Sequence, residues 1–72
     1  MPSFPERLKE LRKINKTTQA QLAKEIGINE RTCRRHEASD VEPTLSVIIA
    51  MANYFNVSID YLVGRSNDPK RY

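Results

Sequence analysis

The sequence predicts an all-α fold, a single bundle of five short helices, and three observations carry that prediction. Apolar residues recur at three- and four-residue spacing rather than in strict alternation. A good capping residue, Ser3, Thr18, Asn29, Thr44 or Ser58, stands before each periodic segment. Two glycines and few aromatics in 72 residues leave a β-rich chain short of turn and strand formers. This length makes one domain, near the lower limit for a single hydrophobic core.

Each element follows from local chemistry. Ser3 with Glu6 forms a capping-box pattern, Pro5 is tolerated in a first turn, and Phe4, Leu8 and Leu11 continue helix 1 to about Asn15. Thr18 with Gln21 opens helix 2, whose inward residues are Leu22, Ala23 and Ile26, and Gly27 ends it. Asn29 caps helix 3, from Glu30 to about Ala38. Pro43 marks the next loop as a break. Thr44 caps helix 4, where Leu45, Ile48, Ala52 and Phe55 form the expected core stripe. Ser58 caps a last helix from Ile59 to Val63, ended by Gly64. Residues 1–64 are thus read as the domain, and 65–72, RSNDPKRY, as a frayed polar tail.

Net charge is +3, unevenly spread. Arg7, Lys9, Arg12, Lys13, Lys16, Lys24, Arg31, Arg34 and Arg35 precede position 40, whereas Val41 to Gly64 contains no Lys or Arg. A basic half suits a polyanion, although a solvated helical surface would look similar. One cysteine allows no intrachain disulfide and suits a reducing cytoplasm. The N-terminus lacks the order of a secretion signal, and no apolar run would span a bilayer. A cytoplasmic protein with no membrane partner is expected.

Helices 2 and 3, joined by a short turn containing glycine, meet the demands of a helix-turn-helix. Ala23 is the small residue where the helices touch, and Leu22, Ile26 and Ile28 pin them to the core. LKELR, TQAQLAKEIGIN, a following Glu, PTL and NVSIDYLVG together resemble the phage-repressor and xenobiotic-response-element (Cro-like) family of helix-turn-helix transcriptional regulators. The likeness covers about residues 6 to 64. It implies a lambda-repressor-like bundle whose third helix enters the major groove, usually as a homodimer on an inverted-repeat operator. It places base contact on Glu30, Arg31 and Arg35, with Arg34 between them, and phosphate contact on Gln19. It also implies a salt bridge between Arg12 and Glu37. Thr17, Cys33, His36 and Ser39 depart from the family pattern, which bears on local packing.

The residues support this independently. At 100° per residue, Glu30, Arg34, Arg31 and Arg35 share an arc of roughly 140°, with Cys33 and His36 on the opposite side. Arginine's planar fork can bond guanine O6 and N7 together, or grip a phosphate. Glu30 can accept from a cytosine amino group or simply favour the helix N-terminus. Thr18, Gln19, Arg12 and Lys16 gather near the start of helix 2 as phosphate-contact candidates; for Thr18 capping, and for Lys16 plain solvation, are the alternatives.

Cys33 and His36 are too few for a structural zinc, so no metal is expected and both are assigned to packing. No catalytic constellation, cofactor motif or small-molecule site is evident, and no enzyme activity is expected. On helix 4, Val47, Ile49 and Tyr54 lie outside the core stripe and are candidates for a dimer surface. The function expected is that of a bacterial or phage regulator, a repressor, binding double-stranded DNA. The alternative is a protein-interaction module, antitoxin-like or anti-repressor, with weak DNA binding.

Overall fold

The computed structural model describes residues 2–71 and contains five helices and no strand among them. They are α1 (Phe4–Ile14), α2 (Gln19–Ile26), α3 (Glu30–Glu37), α4 (Leu45–Phe55) and α5 (Ile59–Leu62). Each predicted cap stands directly before its helix. The Thr18, Asn29, Thr44 and Ser58 side chains each accept a first-turn backbone N–H, and Ser3 donates its N–H and hydroxyl to Glu6. The three helix ends predicted one residue late are C-cap residues: Asn15, Ala38 and Val63.

The helices enclose one core, with Leu8, Leu22, Met51, Leu62 and Cys33 at its centre. Burying each of the large side chains contributes about 2 kcal/mol before entropy. α2 packs closely on α3, α1 lies against α3 and α5, and α4 spans α2 and α5. Ala23, on α2, is 2% exposed.

Three expectations are corrected. Leu45, expected in the core stripe, is 71% exposed, and Met51 is fully buried instead. Ile48, Met51, Ala52 and Phe55 define the stripe, and Leu45 lies roughly 70° from its centre at 100° per residue. Residues 65–71 of the tail, expected to fray, are tied back to the bundle. Ser58 donates its N–H to the Pro69 carbonyl at 2.9 Å, and Arg71 bonds the Asn53 side chain. Arg7, counted with the surface cations, is 4% exposed. Its guanidinium stacks 3.8 Å from the Tyr61 ring centroid and donates to the Ser66 carbonyl and Asn67 Oδ1, so it ties the returning tail to α1 and α5.

Positive backbone angles fall at Lys16 (φ 52), Gly27 (φ 79), Ser39 (φ 62), Asn56 (φ 57) and Gly64 (φ 85). Gly27 serves the α2–α3 turn through this angle and not through lack of room, because a Cβ there would meet nothing within 4 Å.

Candidate nucleic-acid interface

α3 divides as its sequence requires. Glu30, Arg31, Arg34 and Arg35 are all exposed, whereas Cys33 is 0% and His36 3% exposed. Asn29 clamps the start of the helix, its Oδ1 accepting the Thr32 N–H at 2.7 Å and the Thr32 hydroxyl at 2.8 Å. Phe4 presents its ring edge-on to His36 from α1, at 6.3 Å between centroids. The inward face is therefore held on both sides.

A polar knot sets how α3 stands on the bundle. Glu37, 5% exposed, accepts from Arg12 Nε, from Arg12 Nη2 at 2.9 Å and from Gln19 Nε2 at 3.1 Å. Arg12 also donates Nη1 to the Thr17 carbonyl at 3.0 Å. One carboxylate thus joins α1, α2 and α3. Burial alone would raise the Glu37 pKa; the hydrogen bonds from Arg12 and Gln19 outweigh it and leave the carboxyl low. Its hydrogen bonds to Glu37 raise the Arg12 pKa.

Beside α3 an open cleft is lined by Arg12, Lys13, Lys16, Thr17, Thr18, Gln19 and Glu30. It brings the four phosphate-contact candidates to one place, next to Glu30 of the arginine face. The Arg12 and Gln19 head groups are already engaged with Glu37, so what faces the cleft with unspent charge is Lys16 and Lys13. Gln19 and Ala20 head the first turn of α2, where backbone N–H groups lack intrahelical partners and the helix dipole favours an anion. Lys13 is not among the sequence candidates for phosphate contact, yet it lines the same cleft.

Lys16 occupies a left-handed backbone position that glycine would fill more easily. Lys16→Gly is therefore expected to leave the melting temperature unchanged or raise it by a few degrees, while weakening binding to duplex DNA about tenfold in filter or fluorescence titration. Parallel losses of stability and binding would assign Lys16 to the fold alone.

His36 brings a pH dependence. Its Nδ1 is buried with no partner, and burial pushes the imidazole pKa below its ordinary 6.5. A group whose folded pKa is depressed stabilises the fold fully above the unfolded value and progressively less as pH falls through it. Thermal melts between about pH 7 and pH 5 should show stability declining with acid, and His36→Phe should flatten that decline.

The dimer-surface candidates separate. Val47 packs partly buried against the core. Tyr54 turns toward the α1–α2 junction, its hydroxyl 3.4 Å from Thr17 Oγ1. Ile49 alone of the three opens onto a shallow groove, shared with Ala52, Val57, Ile59 and Arg71, and Leu45 stands exposed one turn before it. No group of three or more metal-ligating side chains occurs among the described residues, and none of the described helices is long and apolar enough to cross a membrane.

The sequence profile of the helix-turn-helix family matches residues 8–62. The chain belongs to the helix-turn-helix family of repressor-like regulators. It is 39% identical over 66 residues to the uncharacterized HTH-type transcriptional regulator YobD of Bacillus subtilis, covering 92% of this chain and 59% of that one. The cryptic phage CTXphi transcriptional repressor RstR of Vibrio cholerae is 40% identical over 60 residues, covering 83% of this chain and 54% of RstR. This helix-turn-helix chain therefore spans little more than half the length of these relatives. Among solved structures, the P22 c2 repressor in complex with synthetic operator 9T superposes with a TM-score of 0.84 at 29% identity, covering 92% of this chain and 100% of that one. A transcriptional regulator from Listeria innocua gives 0.82 at 32% identity, covering 86% of this chain and 58% of that one.

Proposed function

We propose that this chain is the DNA-binding part of a transcriptional repressor, with α3 seated in the major groove of double-stranded DNA. The observation that carries the reading is the exposed, rigidly backed arginine face of α3, in a fold shared with a repressor solved on its operator. Arg31 and Arg35 read base edges, and Arg34 and Glu30 complete the reading face. Lys16, Thr18 and the N-terminus of α2 hold a phosphate. Gln19 and Arg12 act partly through Glu37, which orients them. Affinity comes largely from phosphate neutralisation and falls steeply with salt.

Two copies pair through the outer face of α4 and α5, where Leu45, Ile49 and Ile59 are exposed, setting two α3 helices ~34–36 Å apart on an inverted repeat. The pair acts in the cytoplasm by occluding a promoter, and no catalysis is assigned to it.

Selection from random duplexes tests the whole proposal. An enriched inverted repeat is expected. No enrichment even at low salt would transfer the chain to the protein-interaction reading. On the selected site, Arg31→Ala and Arg35→Ala should each lose about 1–3 kcal/mol and relax preference at one base pair per half-site, as competition titrations would measure.

A further inference from the structure

The cationic interface contains one exposed acid that a surface built only for affinity would omit. Glu30 is the sole carboxylate among the side chains lining the cleft beside α3. The other α3 acid, Glu37, is buried and bonded to Arg12, and so presents no free charge there. Glu30 lies 4.0 Å from Arg34 Nη1, one turn further along the helix, with both side chains more than half exposed. Arg31 and Arg35 have no ion-pair partner among the described residues. One of the three arginines is thus engaged while two stand free.

An ionised carboxylate offers only acceptors. Phosphates, guanine O6 and N7, adenine N7 and thymine O4 are acceptors too. In the major groove only the cytosine N4 and adenine N6 amino groups can donate to it. Against any other base, Glu30 would lose its water, gain no donor and face phosphate repulsion.

Building on the reading of α3 as the groove-entering helix, we infer that Glu30 is a specificity-determining residue that acts chiefly by rejection. It restrains Arg34 from gripping phosphate indiscriminately and opposes every duplex that does not place an exocyclic amino group beside it. The cost falls on total affinity and the gain on discrimination.

Glu30→Gln tests this, because the amide keeps an acceptor and removes the charge. Its affinity for the wild-type chain's selected duplex and for a scrambled duplex is measured across a salt series, with folding checked by thermal melting. Glu25→Gln, an exposed acid on α2 outside the cleft, is the control. The expected result is scrambled-duplex binding about tenfold tighter, a salt slope steeper by roughly 0.9, and a smaller change on the selected duplex, so that the affinity ratio falls several-fold. Repeat selection with Glu30→Gln should lose or shift preference at one base pair per half-site. An unchanged ratio, or the same change from Glu25→Gln, overturns the role of Glu30 and leaves the groove reading standing. A wild-type chain that selects no duplex at all removes the groove reading, and this inference with it.

Discussion

Glu37→Ala is expected to destabilise the fold by about 3 kcal/mol, enough to lower the melting temperature by roughly 12–24 °C in a domain this small. The carboxylate is 5% exposed and accepts three hydrogen bonds, two from Arg12 and one from Gln19. Its removal strands the Arg12 guanidinium, itself only 18% exposed, between α1 and α3. An unpaired, partly buried cation costs far more than the pair's net contribution. A second readout follows from titration. With its folded pKa below the ordinary 4.5, Glu37 stabilises the fold fully above that value, and the contribution is lost as pH falls through the folded one. The acid limb of the wild-type stability profile should therefore be shallower in Glu37→Ala. DNA affinity should also fall at temperatures where the variant remains folded, because α3 loses its tie to α1 and α2. A melting temperature within about 2 °C of wild type would mean that the knot is ornamental.

Gly64→Ala is the second large effect, expected to cost about 3 kcal/mol. The residue holds φ +85, and a Cβ built there would lie 1.9 Å from the Pro2 carbonyl oxygen and 3.1 Å from its carbon. Backbone cannot swing aside as a flexible side chain can, so the start of α1 must move away from the end of α5. Gly27→Ala is the internal comparison. It shares the left-handed angle, but its Cβ would enter open space, and only about 1 kcal/mol should be lost. Denaturant unfolding of both variants checks the ordering. Equal losses would show that the angle, not the contact with Pro2, governs Gly64.

The two-sided pattern of α3 is legible in the sequence because it is local. A period of 3.6 residues sends Glu30, Arg31, Arg34 and Arg35 one way and Cys33 and His36 the other, whatever surrounds them. The same rule misplaced Leu45. Periodicity defines a stripe's direction but not its width: Met51 falls inside the buried arc and Leu45 beyond its margin. Arg7 was misread for a different reason. Nothing within helix 1 signals that Tyr61, the Ser66 carbonyl and the Asn67 side chain, more than fifty residues away, will close over its guanidinium.

From the chain alone came the helix count, all five caps, the α2–α3 turn and the polarity of α3, since each depends on neighbours within about one turn. Tertiary structure decided which charges remain available. It spent Arg12 on Glu37 and buried Arg7 beneath the returning tail, and it left Lys16 and Lys13 facing the cleft. It also decided why each glycine matters, with Gly64 pressed against Pro2 and Gly27 against nothing. A backbone angle is a property of the local chain, whereas access to water or to a ligand depends on whatever distant segment lies on top.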